Sequence, residues 1–423
     1  MAEPGPGGAW LRAFSVASRL LEPAAPAILR RRLARGKEDP ERWREKLGEA
    51  SLPRPDGRLV WLHAVGLGEV LALRGLIAEM VELDPELSFL ITSTARSSAE
   101  AVSRNLPART THQFLPLDLT GPRRRFLDHW RPDLSVWAEQ DLWPGLVAET
   151  AGRGIPLALV NARMNAEAYR RRARARGLYA PLLRAFRLIA AQDAATSRNL
   201  EALGAPAAVA VTGSLKPAAP PLADIPDERA SLAGALAGRP IWLAASTHAE
   251  DEAVALAGHS LVLSRAPDTL LVLAPRIPSR GAEIAQRCEG AGLAAARRSD
   301  GAPLASGVQV YIADTIGEMG LWYRLAPAAL VGGSFGPVEG HNPWEPARVD
   351  CAVLHGPRTA NFAEDYAALA AARAARRVLT AEHLTATLAD PQLAETAERA
   401  AVLALEHAGA ARALARHLVE LVA

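Results

Sequence analysis

Residues 58–71 read RLVWLHAVGLGEVL. An apolar run ending at His63 passes into Gly66-Leu67-Gly68 and then Glu69, with helix-forming residues beyond. This order describes a buried parallel strand, a tight turn and a helix whose first N–H groups face whatever binds above the sheet. Glycines there let the backbone turn sharply and come close to a ligand. As a dinucleotide fingerprint the stretch fails, because Leu71 replaces the third glycine and the second strand ends in Thr92-Ser93-Thr94 instead of an acid.

The alternation continues outward from this unit. The runs SFLITST, HQFLPLD, LSVWAEQ, IPLALVNAR, LIAAQD and AVAVTGSL, separated by helical stretches, carry it to Leu215. Near-continuous apolar strands of this kind belong to a parallel sheet covered on both faces. PAAPPLADIP, residues 217–226, breaks the pattern as a linker would, and PIWLAAS, TLLVLAPR, VQVYIAD, AALVGGS, CAVLHGP and RRVLT restart it. The expected fold class is therefore α/β, with two Rossmann-like doubly wound domains facing across a cleft. Its parts are an amphipathic segment over 1–35, a first domain over 36–216, a linker over 217–228, and a second domain over 229–423 that includes closing helices from about Leu384.

Composition narrows the function classes. With 48 basic against 46 acidic side chains in 423 residues, no net field draws the chain to nucleic acid. Two cysteines, Cys288 and Cys351, can form neither a disulfide framework nor a thiolate metal cluster, which fits a reducing compartment. Of the basic residues 45 are arginine, leaving Lys37, Lys46 and Lys216. The segment 9–35 is interrupted by Arg12, Arg19, Pro23 and Pro26, too often for a spanning helix. Its apolar Trp10, Leu11, Phe14, Leu20 and Leu21 against Arg12, Arg19, Arg30, Arg31 and Arg32 suit either a membrane interface or a surface helix packed on its own domain.

Chemistry-bearing residues fall just after the strands. Glu69 can take a proton from an attacking hydroxyl if its surroundings raise its pKa, or it can be an ordinary acid of a first helical turn. Glu139 and Asp141 follow the fourth strand beside Trp143-Pro144, with an N-cap role open for Asp141. Five arginines crowd residues 170–176 and could meet phosphates or anionic headgroups, or form a solvated face. In the second half Ser246-Thr247-His248, Pro275-Arg276, Asp314-Thr315 with Gly317-Glu318, and Gly332-Gly333-Ser334 end successive strands, and EGHNPWEPA follows. Gly-Gly-Ser could cradle a phosphate with backbone N–H groups, Arg276 could grip one bidentately, and Glu345 could take both hydroxyls of a ribose. Together these describe a nucleotide site. No metal-ligand set appears, since His341 and His355 lack partners at ligand spacing, and no Walker lysine follows a Gly-rich loop.

The ordered motifs ERWREKLG, WLHAVGLGEV, LPLD, EQDLWP, LVNARMN, AQD, TGSLK, STHAEDE, PRIPSR, DTIGEM, GGSF, EGHNPWEPA and HGPRTANF run through nearly the whole chain. The pattern resembles the 3-deoxy-D-manno-octulosonic acid (Kdo) transferases, GT-B enzymes that add Kdo to a lipid A precursor in lipopolysaccharide biosynthesis. The resemblance implies a metal-independent, inverting transfer from CMP-Kdo to a tetraacyldisaccharide bisphosphate, with no cofactor beyond the donor substrate. It also implies peripheral or monotopic contact with the cytoplasmic face of the inner membrane. By position it makes Glu69 the general base and Glu139 with Lys216 the stabilisers of the transition state. It assigns CMP to Pro275, Arg276, Gly317, Glu318, Met319, Asn342, Pro343, Trp344 and Glu345. A relative using another nucleotide sugar and a catalytically silent membrane-bound relative are the alternatives.

Overall fold

The computed structural model describes residues 9–422 apart from 65–66, 95, 97–98, 100–105, 140–141, 207–208, 219–220 and 302; for Ala9 and residues 67–71 the backbone alone is described. The chain divides into two units, Met1–Pro220 with His407–Ala423, and Pro221–Glu406.

The first unit holds a parallel sheet of seven strands: β1 (Leu59–His63), β2 (Ser88–Ser93), β3 (Thr110–Phe114), β4 (Leu134–Ala138), β5 (Leu157–Ala162), β6 (Leu188–Ala191) and β7 (Ala210–Val211). Their order is β3-β2-β1-β4-β5-β6-β7. Every residue of β1 and of β4 is buried, as the uninterrupted apolar runs require of a sheet covered on both faces. Trp61 and Trp137 meet edge to face at 5.4 Å. Their indole N–H groups donate to Thr92 Oγ1 and Ser135 Oγ, each at 2.9 Å, so two large side chains sit in the core with their polar ends satisfied.

The second unit repeats the plan with β8 (Ile241–Thr247), β9 (Leu270–Pro275), β10 (Ala295–Arg297), β11 (Val310–Ile312), β12 (Ala328–Val331), β13 (Ala352–His355) and β14 (Ala375–Arg377), in the order β10-β11-β9-β8-β12-β13-β14 and again all parallel. The sequence gives no sign of β10, whose Ala-Ala-Arg lacks an apolar run.

Two boundaries differ from the sequence reading. The linker expected over 217–228 is shorter, because Lys216–Ala218 forms a 3-10 turn of the first unit and Pro226–Leu236 is already helix. The closing helix Leu393–Val422, expected wholly in the second domain, changes unit along its length. Ala400 and Ala404 pack in the second unit, whereas Ala411, Leu414, Ala415 and Leu418 join the core cluster of Leu73, Leu76 and Ile77 in the first.

At the amino end the helix Ala9–Leu21 buries Leu11 and Ser18, the latter bonded to Thr120 Oγ1 at 2.9 Å. Trp10, Leu20 and Leu21 lie on the surface, 65%, 77% and 61% exposed. Leu11, expected in the outward apolar set, is thus a packing residue, as in a surface helix packed on its own domain. The following ERWREKLG motif is an anchor: the buried Glu45 accepts from Phe114 N at 2.7 Å while paired with Arg42 at 2.9 Å. No described helix is long and apolar enough to cross a membrane.

Candidate active site

In a doubly wound sheet the crevice opens where strand order reverses. In the first unit that point lies between β1 and β4, the strands that Glu69 and Glu139 follow. The backbone of Glu69 lies in the first turn of the helix Leu67–Leu83, and its side chain lies outside the described residues, as does Asp141 altogether. Glu139 has a left-handed backbone, φ +61°, with its N–H donating to Val160 O at 3.0 Å. A glutamate costs on the order of 1 kcal/mol there relative to glycine, and such outliers gather at functional sites.

Lys216 lies beyond β7, at the sheet's edge and far from β1 in strand order. The chain nevertheless returns: the 3-10 turn Lys216–Ala218 packs against the helix Leu67–Leu83, with Leu215 in the same core cluster as Leu73, Leu76 and Ile77. Asn161, at the end of β5, fixes the approach. Buried and left-handed at φ +52°, it accepts the Leu215 N–H on Oδ1 at 3.0 Å, and its carbonyl accepts from Gln192 Nε2 at 3.0 Å. The element that starts near Glu69 and the turn that carries Lys216 are therefore in contact. Asp118 of LPLD supports the neighbouring segment by accepting the Gly145 N–H at 2.8 Å, at the start of the helix Pro144–Gly152.

In the second unit the reversal lies between β8 and β12. The two strands close up at their carboxyl ends, where a Cβ on Gly332 would stand 2.4 Å from Ser246 O, so only glycine fits. Here the structure corrects one expectation. The Gly-Gly-Ser N–H groups do not form an open phosphate cradle, because the buried Asp251 carboxylate takes them. It accepts from Gly333 at 2.7 Å, Ser334 at 3.1 Å and Phe335 at 3.1 Å, and from His248 N at 2.9 Å. Burial pushes the Asp251 carboxyl upward while these N–H groups pull it down.

EGHNPWEPA folds back onto that loop: Gly340 N–H donates to Gly333 O at 2.7 Å and His341 N–H to Gly332 O at 3.2 Å. The His341 ring faces His248, Nε2 to Nε2 at 3.0 Å, so at least one of the two rings is neutral. Burial, then the charges of His248 and Arg276, push the His341 pKa down to about 4. Trp344 is core; its indole donates to Asp365 at 2.8 Å and anchors the short helix Trp344–Ala347, with Pro343 at its N-cap. Glu345 is half-buried. Burial raises its pKa against the hydrogen bond from Asn342, the charge of Arg276 and the hydrogen bond from Tyr323.

Arg276 follows Pro275 at the end of β9, its N–H bonded to Thr247 O at 3.0 Å and its side chain exposed. Strand β9 lies between β8 and β11. Gly317, Glu318 and Met319 follow β11, with Gly317 at φ +93°. The Glu318 carboxylate is held by Arg298 at 2.7 Å and by Thr315, and Met319 packs against the core, so this segment leaves backbone rather than that carboxylate to a ligand. Arg276, His341, Asn342 and Glu345 thus lie together at the carboxyl ends of interior strands, in a setting that can hold an anion beside a carboxylate and an amide.

Asn161, Asp251 and the His248–His341 pair were not singled out for these roles. The spacing of Asp251 three residues after His248 marks a helix start, but nothing local announces its bonds to the loop 82 to 84 residues onward.

A family model described as 3-deoxy-D-manno-octulosonic-acid transferase (kdotransferase) matches residues 41–219. The chain is 37% identical over 377 residues to the 3-deoxy-D-manno-octulosonic acid transferase of Bordetella pertussis, covering 86% of this chain and 87% of that protein. It is 31% identical over 374 residues to the enzyme of the same name from Rickettsia bellii, covering 88% and 89%. Among solved structures, UDP-GlcNAc 2-epimerase from Neisseria meningitidis bound to UDP-GlcNAc is similar with a TM-score of 0.53 at 13% identity, over 86% of this chain and all of that one, a likeness of fold alone. With its two Rossmann-like units and relatives of this identity and reach, the chain belongs to the 3-deoxy-D-manno-octulosonic acid transferase family of GT-B glycosyltransferases.

Proposed function

We propose that the chain transfers Kdo from CMP-Kdo to a hydroxyl of a tetraacyldisaccharide bisphosphate lipid A precursor, a step of lipopolysaccharide biosynthesis, with inversion and without a metal ion. The observation that carries this reading is the packing of the helix that begins beside Glu69 against the turn that bears Lys216, held there by Asn161. The Glu69 carboxylate accepts the proton of the acceptor hydroxyl as its oxygen attacks the anomeric carbon. The bond from that carbon to CMP breaks, and its electron pair leaves on the phosphate. Glu139 faces the oxocarbenium character that develops on the sugar, and Lys216 meets the carboxylate that Kdo carries. Attack from the side opposite CMP inverts the centre. Cytidylate is bound at Pro275-Arg276, Gly317–Met319 and Asn342–Glu345, where the exposed Arg276 guanidinium offers a fork to the phosphate.

The outward Trp10, Leu20 and Leu21, with Ile28 54% exposed and Arg12, Arg19, Arg30 and Arg31 beside them, support peripheral contact with the cytoplasmic face of the inner membrane. The test of the reaction is incubation of the purified chain with CMP-Kdo generated in place and the tetraacyl precursor, read by mass spectrometry alongside a panel of other nucleotide sugars. Addition of Kdo with release of CMP, also in the presence of a chelator, is expected. Release of uridine nucleotide in preference would overturn the donor assignment, and chelator-sensitive transfer the metal independence.

A further inference from the structure

The second unit contains a cavity of about 730 Å³ that none of the proposed cytidylate residues lines. It lies between the helix Ala363–Ala371, strand β14 and the first turns of the helix Leu393–Val422, and its volume is that of a site for a small organic ligand. One side is apolar, with Tyr366 and Ala367 one helical turn before Ala370. The other is cationic: Arg373, Arg376, Arg377 and Arg399 line it against the single carboxylate of Glu395.

Two of those arginines already have acidic partners. Arg376 bonds Asp390 at 3.3 Å and Thr396 at 3.2 Å, and Arg399 bonds Glu395 at 3.3 Å and the Arg373 carbonyl at 2.9 Å. Arg373 and Arg377 are exposed, and their guanidinium groups make no ion pair among the described residues. The backbone at Arg373 adds a second observation. The helix Ala363–Ala371 ends with Ala374 N–H bonded to Leu369 O at 2.7 Å and Arg373 N–H to Ala370 O at 3.0 Å, and Arg373 takes φ +52°. Glycine is the favoured residue at this helix stop, so arginine is held there at a cost in stability.

We propose that this groove is a second anion-binding site, in which Arg373 and Arg377 grip a phosphomonoester or diphosphate group while an apolar part of the same ligand lies along Tyr366, Ala367 and Ala370. A planar guanidinium matches two phosphate oxygens, and two of them beside an alanine-lined wall select an amphiphilic phosphate over a simple one. A soluble phosphate ester and a phospholipid headgroup share this chemistry.

The full chain is titrated calorimetrically at low ionic strength with inorganic pyrophosphate and, separately, with dihexanoyl phosphatidic acid below its micelle concentration. Each probe is run against the wild type, Arg373→Gly, Arg377→Ala, the double variant and Arg276→Ala. Each groove substitution should weaken binding by about tenfold, the loss expected for one charge-assisted contact. Arg373→Gly should melt no lower than the wild type, because it relieves the left-handed arginine, so its loss of binding does not stem from misfolding. Tighter binding of the lipid than of pyrophosphate is expected from the alanine-lined wall, and tighter binding of pyrophosphate would overturn the amphiphilic part of the proposal. Absence of binding by both probes, or equal binding by the wild type and the double variant, overturns the proposal.

Discussion

The two units use the same strand plan but hold the loops at their order reversals by different means. In the second unit one buried carboxylate, Asp251, collects four N–H groups and thereby ties the helix after β8 to the loop after β12. In the first, Glu139 and Asn161 take left-handed backbone, as Ser246 does in the second, and the Lys216 turn returns through apolar packing and the Asn161–Leu215 hydrogen bond. A polar hub fixes a loop through energy that one substitution can remove. Backbone conformation and packing spread the same task over many small contributions, and leave room for a chemically active residue at the strained position.

The contrast breaks first at Asp251. Asp251→Ala leaves four N–H groups without their acceptor, at about 1–3 kcal/mol each if none recovers a partner, so the second unit should lose on the order of 4 kcal/mol or more to urea. A loss below about 1 kcal/mol would show that the hub is dispensable. Acid probes both units through buried neutral histidines. In the first, His112 is bonded by Ser93 at 2.9 Å and Arg42 at 3.1 Å, and burial with the Arg42 charge lowers its pKa to about 3. In the second, His259 donates to Gln309 O at 2.9 Å and accepts from Trp242 at 3.2 Å, and burial lowers its pKa to about 4. Both folded values lie below the unfolded one, so the unfolded chain binds more protons. Their stability contribution is complete above about pH 6.5 and is lost as pH falls toward 4, amounting to about 2 kcal/mol for each histidine at pH 5. Wild-type stability that falls no more between pH 7 and 5 than that of His112→Gln would contradict this.

A smaller effect is expected at Asn161. Asn161→Ala releases the Leu215 N–H and should lower Kdo transfer by about tenfold with CMP affinity unchanged, whereas Asn161→Asp, which keeps an acceptor and tolerates φ +52°, should restore most of it. Equal transfer by both variants would remove Asn161 from the positioning of Lys216. The smallest change in stability is expected of Glu139→Gly. Relief of the left-handed glutamate should raise stability by about 1 kcal/mol, read by thermal melting, while transfer falls; a variant both as active and no more stable would leave the strained backbone without a role.

The fold was legible because each long strand announces itself as an apolar run, and the strand ends followed from it. Strand β10 was hidden because three mixed residues carry no such signal. What the sequence could not convey is pairing at a distance. The motif GGSF reads as open N–H groups until Asp251 is seen to occupy them, and the sequence places Lys216 only just past a strand run, until its turn is found against the helix after β1. Asn161, inside LVNARMN, looks like a strand residue, and only its left-handed backbone and its bond to Leu215 reveal what it holds.

The account stands on a division of labour, with proton acceptance at the first unit's order reversal and cytidylate binding on the second unit. Calorimetric CMP titration and Kdo transfer, measured side by side on Glu69→Gln and Arg276→Ala, test that division. Glu69→Gln is expected to abolish transfer with CMP affinity near that of the wild type, and Arg276→Ala to weaken CMP binding by about tenfold or more. Full transfer activity in Glu69→Gln, or undiminished CMP binding in Arg276→Ala, would contradict it.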